Sequence, residues 1–139
     1  MVVLLSCVKK KKDGVHKAEE LYDSVLFRSS LAYAKALTSD ENIFILSAKY
    51  GCLTLGETVE SYNLTLNEMT DAEIKEWSEM VYQQLLENNV KPTDEVIFLT
   101  GKKYRKYLSK LFLHSICPVE HMGIGQRVKY FKEQIKKYE

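Results

Sequence analysis

Four short apolar runs are spaced along the chain, and each has the character of a buried strand. Each is about five residues long, is rich in β-branched or aromatic side chains, and lacks the alternation typical of a half-solvated sheet. The predicted strands are Val2–Ser6, Ile43–Ser47, residues 96–100 and residues 116–120.

Helical patterns separate these strands. Residues 24–37 and residues 70–86 repeat apolar side chains at helical spacing, and the second pattern opens with "TDAE", a capping box in which Thr70 and Glu73 satisfy each other's backbone N–H groups. Two further helices are predicted over residues 103–111 and 126–137.

The alternation of strands and helices predicts the fold class. It indicates βαβ units and a single three-layer α/β domain, with a mostly parallel sheet of about four strands and helices on both faces. The 139 residues suffice for one such domain. Residues 51–69 have no clear periodicity, and loops of that length are usually functional or misread. We expect that "VESYNLTLNEM" in this segment contains an extra short strand.

Composition narrows the function classes only slightly. The chain is 45% hydrophobic and 28% charged with a net charge of +1, typical of a soluble protein without a global field for nucleic acid or membranes. Lysines nevertheless concentrate at residues 9–12 and 102–106. The apolar start "MVVLLSCV" is too short for a signal peptide or membrane span, so no membrane partner is expected.

The three cysteines are far apart and odd in number, which favours free thiols and a cytoplasmic location. No pair has zinc-ligand spacing, and neither a metal site nor a cofactor is predicted.

Ligands of open α/β sheets bind beyond the carboxyl ends of the strands. All four predicted strand ends are followed by small or polar residues, which would gather at one edge and form a site. These residues are Ser6 and Cys7, then residues 47–51, then Thr100 and Gly101, and finally residues 121–125.

Two of these strand ends carry glycines before a predicted helix. In "GIGQ", Gly123, Gly125 and Gln126 precede or open the last helix, where free N–H groups would hold an anion, although a plain turn is the alternative. In "TGKKY", Gly101 likewise precedes a predicted helix.

Cys7, Lys49 and Tyr50 are the candidate catalytic residues. The lysines after Cys7 favour a nucleophilic thiolate, whereas the alternative is a small buried side chain. Lys49 is suited to binding a phosphate or carboxylate, and Tyr50 to stacking on a base or donating a proton. The alternative is that Lys49 is solvated and Tyr50 packs under the long loop.

The segments "LLSCVKKK", "LYDSVLF", "LSAKYGCL", "VESYNLTL", "GKKYRKYL" and "GIGQR" resemble a small bacterial and phage domain family of unassigned function. More distantly, "LSAKYGCLTLGETVESYNLTL" is similar to YaaA-like peroxide-stress proteins, for which DNA binding is implied. "SC" with "LYDS" is similar to the core of archaeosine synthase, which acts on a deazaguanine base in tRNA. The site positions that this resemblance marks are Ser6, Cys7, Tyr22, Ser24, Ser47, Lys49, Tyr50, Gly51, Tyr62, Gly101, Tyr104, Gly123 and Gly125.

The sequence departs from these distant families at several places. Ser6 replaces the synthase's proline, Leu21 and Phe27 replace other motif residues, and Ser61 precedes Tyr62 where proline is usual. The helical DNA-binding insertion of the YaaA-like proteins is also missing.

The leading hypothesis is an enzyme acting on a nucleobase, a nucleotide or a nucleic-acid base, through base modification or N-glycosidic bond chemistry. Cys7 would be the nucleophile, with Glu57 or Glu60 supplying a carboxylate. Two alternatives remain: a DNA-, RNA- or nucleotide-binding protein without catalysis, and a structural role with a homodimer surface. The dimer surface would use Tyr107, Tyr130, Phe131 and Tyr138.

Overall fold

The structure is a computed structural model that describes residues 1–138. Its strands, in chain order, are β1 (Val2–Ser6), β2 (Val15–Lys17), β3 (Ile43–Ser47), β4 (Gly51–Thr54), β5 (Thr58–Glu60), β6 (Glu95–Leu99) and β7 (His114–Ile116). Its α-helices are α1 (Ala18–Leu21), α2 (Val25–Leu37), α3 (Asp71–Glu87), α4 (Lys102–Arg105) and α5 (Ile124–Lys136). Short 3-10 helices cover Asp40–Asn42, Leu66–Glu68 and Leu108–Leu111.

The main sheet has five strands in the order β4-β3-β1-β6-β7 within the described residues. The four strands β3, β1, β6 and β7 are parallel, and β4 runs antiparallel to β3. At the centre, Leu4 of β1 lies between Phe44 and Phe98. The predicted α/β class with a mostly parallel sheet is confirmed.

The strand order places the switch point of the sheet between β1 and β6. The chain leaves β1 for β3 on one side and then crosses to β6 on the other, so α2 and α3 cover opposite faces. On one face α2 packs against α5, and on the other α3 packs against β4 and the Leu108–Leu111 helix. These contacts make three layers. The crevice beyond the carboxyl ends of β1 and β6 is therefore the place where this fold admits a ligand.

The sequence predicted both major helix starts. Ser24 Oγ accepts a hydrogen bond of 3.0 Å from the Phe27 N–H, which caps α2. Thr70 Oγ accepts from the Glu73 N–H at 3.2 Å, and the Glu73 carboxylate accepts from the Thr70 N–H at 2.9 Å. The capping box at the start of α3 is confirmed.

The last predicted strand is displaced in the structure. Residues 117–120 form a turn instead of a strand, and β7 covers His114–Ile116. Val119 lies in that turn and is fully buried. Its apolar side chain, which contributed to the strand prediction, therefore fills the core from a loop. The predicted helix over residues 103–111 is likewise two short pieces, α4 and the Leu108–Leu111 helix.

The interpretation of residues 51–69 as irregular is wrong for its first part. Gly51 turns the chain with φ of +78°, and β4 then pairs with β3. The extra strand expected in "VESYNLTLNEM" exists as β5, which begins one residue earlier at Thr58 and pairs with β2. Both strands are too short to produce a periodic pattern.

Candidate functional site

A cavity of about 570 Å³ opens at the carboxyl ends of β1 and β6, where the sheet has its switch point. This volume is within the range typical of small-molecule sites. We call it the strand-exit cavity. Five of the predicted site residues line it, namely Ser6, Cys7, Gly101, Tyr104 and Gly123. Four strand ends were predicted to converge: residues that follow β1 and β6, together with Gly123, line this cavity, whereas residues 47–51 after β3 do not.

Cys7 and Tyr104 contact each other in the wall of this cavity. The Cys7 Sγ and the Tyr104 hydroxyl are 3.1 Å apart. The Tyr104 ring packs edge-on against Trp77, with 5.5 Å between centroids, which fixes the phenol in place. Burial, reinforced by the neighbouring Cys7, holds the pKa of Tyr104 well above its usual range. The phenol therefore keeps its proton at neutral pH and can donate a hydrogen bond to the thiol or to a ligand.

Three cations line the strand-exit cavity. Lys102 and Lys103 begin α4 with exposed side chains, and Arg127 projects from α5. The Nε of Arg127 donates to the Met122 carbonyl at 3.0 Å and its NH1 to the Thr100 carbonyl at 2.9 Å. A guanidinium has five N–H donors, so others remain for a ligand.

The electrostatic character of the cavity follows from these cations. Burial lowers the pKa of Arg127 from its ordinary value, but a guanidinium remains charged at neutral pH. No Asp or Glu of residues 1–138 lines the cavity. The cavity therefore favours an anionic ligand.

Behind Cys7 lies a hydrogen-bonded set of hydroxyls, which we call the tyrosine cluster: Tyr22, Ser47 and Tyr62. Ser47 Oγ donates to the Tyr62 hydroxyl at 2.8 Å, and the Tyr22 and Tyr62 hydroxyls are 2.7 Å apart. Burial raises the pKa of both tyrosines well above the usual range. Ser47 Oγ also accepts the backbone N–H of Tyr50 at 3.0 Å, which closes the turn after β3. Three predicted site residues are thus brought together by one network.

Lys11 is a member of this site that the sequence did not indicate. Its Nζ lies 4.4 Å from the ring centroid of Tyr62 and 5.8 Å from that of Tyr22. An isolated antiparallel bridge between Lys11 and Tyr22 places their side chains next to each other. Partial burial lowers the pKa of Lys11 from its ordinary value, an effect that Cys7 opposes. Nothing in the sequence separates Lys11 from the other lysines of residues 9–12.

The motif "AKY" lies outside the strand-exit cavity. The Lys49 side chain is exposed, with its Nζ 5.2 Å from the centroid of the Tyr50 ring. Tyr50 is half-buried, donates from its hydroxyl to the Glu60 carbonyl at 3.0 Å, and packs edge-on against Tyr62. Tyr50 therefore borders the tyrosine cluster, whereas Lys49 faces solvent.

Two predicted site residues have contacts that explain their residue type structurally. Ser24 caps α2. A Cβ at Gly51 would lie 2.1 Å from Gln84 Oε1, so glycine is required at this left-handed position.

The "GIGQ" segment is partly engaged by its own side chain. Gln126 Oε1 accepts a hydrogen bond of 3.0 Å from the Gly123 N–H. Contrary to the prediction, this N–H is therefore not free to bind an anion. Gly125 lies in the first turn of α5 with open space around its Cβ position. The anion-binding capacity at this end of the cavity therefore rests on Arg127 more than on the glycines.

The structure is a single α/β domain with a cavity lined by cations at the carboxyl edge of its sheet. Residues 2–133 match the family of unknown function DUF6884, and the chain belongs to that family. None of the curated proteins matches the chain. The family agrees with the resemblance to a domain family of unassigned function. It lends no support to the more distant resemblance to YaaA-like proteins and archaeosine synthase.

Membrane-spanning helices and metal-binding clusters are both absent from residues 1–138. None of the helices in this range has both the length and the apolar character needed to cross a bilayer. In the same residues, no three or more His, Cys, Asp or Glu side chains are grouped so that they would hold a metal ion.

Proposed function

We propose that this domain binds a nucleotide in the strand-exit cavity and acts on its base. The observation that carries the proposal is the composition of one cavity. Within about 570 Å³ it combines three cations, an apolar wall and a thiol in contact with a phenol, without any carboxylate from the described residues. The cations complement a phosphate, the apolar wall complements a flat base, and the thiol and phenol complement a reactive group of the ligand.

Each part of the ligand has a counterpart in the wall. Lys102, Lys103 and Arg127 provide charge-assisted hydrogen bonds for the phosphate oxygens. Leu26 and Phe27 of α2 provide apolar surface for the base. In this arrangement the base lies against α2, and the phosphate lies near the starts of α4 and α5.

In a covalent version of this proposal, Cys7 is the nucleophile that adds across a ring double bond of the base. The C–S bond forms as the ring π bond opens, the thiol proton passes to the adjacent ring atom, and the Tyr104 hydroxyl donates a hydrogen bond to the sulfur. Cleavage of N-glycosidic bonds usually relies on carboxylates. Of the two carboxylates expected to contribute, Glu60 borders a different cleft, and Glu57 accepts hydrogen bonds from Thr54. The lining therefore favours base modification over glycosidic cleavage.

A thermal-shift panel of nucleoside monophosphates and the matching nucleosides tests this function. A nucleotide at 100 times its Kd adds about 2.7 kcal/mol to the free energy of unfolding, which raises the Tm. We expect at least one monophosphate to stabilise the wild-type protein, and the Lys102→Gln/Lys103→Gln variant to lose most of that effect. The matched control is Lys10→Gln/Lys12→Gln, which removes two exposed lysines outside the cavity. Absence of stabilisation by every monophosphate would refute the proposal.

A nucleic-acid-binding module without catalysis is the second candidate. The observation in its favour is the lysine run at residues 9–12, in which Lys9, Lys10 and Lys12 are exposed and the partly buried Lys11 contacts the tyrosine cluster. It predicts that ligand is bound but recovered unchanged, and a mass measurement of the ligand after incubation separates the two candidates.

A further inference from the structure

The strand-exit cavity is one compartment of a longer groove. A second cavity of about 270 Å³ shares four lining residues with it, Cys7, Val8, Asn67 and Tyr104. Lys9 then connects this second cavity to an open cleft of about 500 Å³ bordered by Lys11 and Tyr62. The second cavity thus adjoins the first through four residues and the open cleft through Lys9, and the cleft itself lies beside the two-stranded β2–β5 sheet. We call the three depressions together the edge groove.

The first compartment alone is large enough for one nucleotide-sized ligand, since such sites span about 300–1,000 Å³. The remaining compartments therefore have room for chemical groups beyond that nucleotide. Cys7 and Tyr104 line both the first and the second compartment, so the thiol lies at the junction and not at a closed end. A base that reaches Cys7 would have neighbouring groups extending to both sides.

The net positive charge of the edge groove is concentrated in the first compartment, whereas the far part carries lysines and carboxylates together. Lys102, Lys103 and Arg127 line the first compartment, and Lys9 and Lys11 line the far part. The carboxylates on the groove are Asp13, Glu60 and Glu68, all outside the first compartment. Five cations thus face three carboxylates among the described lining residues.

Two contacts fix the position of the Lys11 side chain. The bridge to Tyr22 and the contact of its Nζ with the Tyr62 ring set its side chain at the border of the far cleft. No carboxylate of the described residues lies within ion-pairing distance of it. Its charge is therefore available to a ligand phosphate.

We propose that the ligand of the edge groove is a single-stranded polynucleotide, bound with one internal nucleotide at Cys7 and with flanking phosphates at Lys9 and Lys11. This inference rests on the proposed function and names the substrate class of the same site. Backbone tracking by spaced cations is how proteins bind single strands without reading their sequence.

The test is isothermal titration of 5′-phosphorylated thymidine and uridine oligomers of one, two, four and six nucleotides. We expect affinity to rise from the monomer to the tetramer, and then to level off once the groove is filled. The variant Lys9→Gln/Lys11→Gln removes the gain with length, because both side chains line the groove outside the strand-exit cavity. It also lowers the slope of log Kd against log salt by about 0.7 for each phosphate that the variant no longer neutralises.

The variant Lys10→Gln/Lys12→Gln is the matched control, because it removes the same charge from the same segment at residues that do not line the groove. It should retain the gain with length. Lys9→Gln alone provides a second variant in case the loss of Lys11 from the Tyr62 ring lowers the Tm. The DNA and RNA series show which sugar the groove accepts.

Three results would overturn the inference. Oligomers that bind no more tightly than the monomer show that the ligand is a free nucleotide, and the proposed function then stands without the groove. Equal loss in the test and control variants shows that only general charge matters. If neither monomers nor oligomers bind, the proposed function fails together with the inference.

Discussion

The Cys7 thiol and the Tyr104 hydroxyl lie 3.1 Å apart, although 97 residues separate them in the chain. Cys7 follows β1 and Tyr104 lies in α4, directly after β6, so the contact forms only when β1 and β6 are neighbours in the sheet. The pair therefore marks the switch point of the fold.

The Tyr62 hydroxyl should contribute measurably to stability. It bonds both Ser47 Oγ and the Tyr22 hydroxyl, so Tyr62→Phe removes the partner of the buried Tyr22 hydroxyl and the acceptor of the Ser47 O–H. An unsatisfied buried group costs about 1–3 kcal/mol, and we expect a loss of free energy of unfolding of that size. Tyr138→Phe, at an exposed tyrosine, is the control and should change little. Urea unfolding measures both, and equal effects would contradict the network.

Alkaline pH should destabilise the protein through Cys52. Burial, assisted by repulsion from Glu57, raises the pKa of Cys52 from 9.0 to about 12. The folded state thus holds the proton more tightly than the unfolded state, so this stabilisation is complete below pH 9 and is lost as the pH rises toward 12. Within that window the slope from one thiol is about 1.4 kcal/mol per pH unit.

Chemical unfolding between pH 8 and pH 11 measures this slope. Cys52→Ala should lose stability less steeply than the wild type as the pH rises. Tyrosines whose pKa is raised by burial, namely Tyr22, Tyr33, Tyr62 and Tyr104, add a further decline from about pH 9 upward, where unfolded tyrosines begin to ionise, and that part persists in the variant. Parallel curves for the two proteins would show that Cys52 does not contribute.

Gly51 should resist substitution because of two separate constraints. It has φ of +78°, and its missing Cβ would overlap Gln84 Oε1. Gln84 also accepts the Cys52 N–H at 2.7 Å and donates to the Tyr50 carbonyl at 3.3 Å, so it cannot move without breaking these bonds. We expect Gly51→Ala to cost about 1–3 kcal/mol from backbone strain, with the overlap adding to it.

A double-mutant cycle with Gln84→Ala separates these constraints. Removing the Gln84 side chain should reduce the penalty of Gly51→Ala to the backbone part and a contact of 2.9 Å with Cε of the flexible Met80 side chain. Gly14→Ala isolates the backbone part elsewhere, since Gly14 has φ of +87° and nothing near its Cβ position. A penalty at Gly51 that is independent of Gln84 would rule out the overlap.

Local sequence signals predicted the parts of the fold that local physics determines. The buried runs of β1 and β3 and the Thr70 capping box were located correctly because their signals lie within a few residues. β7 was misplaced because Val119 is buried from a turn, and burial depends on the whole fold.

The candidate site was only partly predictable for the same reason. Residues at strand ends, such as Cys7 and Gly101, come together because of the sheet topology, and the sequence predicts that topology. Arg127 and Lys11 reach the site through tertiary contacts, with the Thr100 carbonyl and the Tyr62 ring respectively. No spacing rule in the sequence encodes those contacts.

Arg127 should distinguish nucleotides from nucleosides. If it binds the phosphate, Arg127→Gln weakens monophosphate binding and leaves nucleoside binding unchanged. Removing a charge-assisted hydrogen bond costs about 1.5–3 kcal/mol, or roughly 10- to 150-fold in Kd. Arg127→Gln also breaks the hydrogen bonds to the Met122 and Thr100 carbonyls, which changes the stability of the protein. Because both ligands are measured on the same variant, this change affects both affinities and cancels in their ratio. Lys132→Gln on α5, outside the cavity, is the matched control.

The most direct test of the central claim is the position of a bound nucleotide. A crystal structure with the monophosphate that stabilises the protein most should show the phosphate against Arg127, Lys102 and Lys103. It should also place the base within contact distance of the Cys7 thiol and the Tyr104 hydroxyl. A nucleotide found elsewhere, with the strand-exit cavity occupied only by water, would contradict the account.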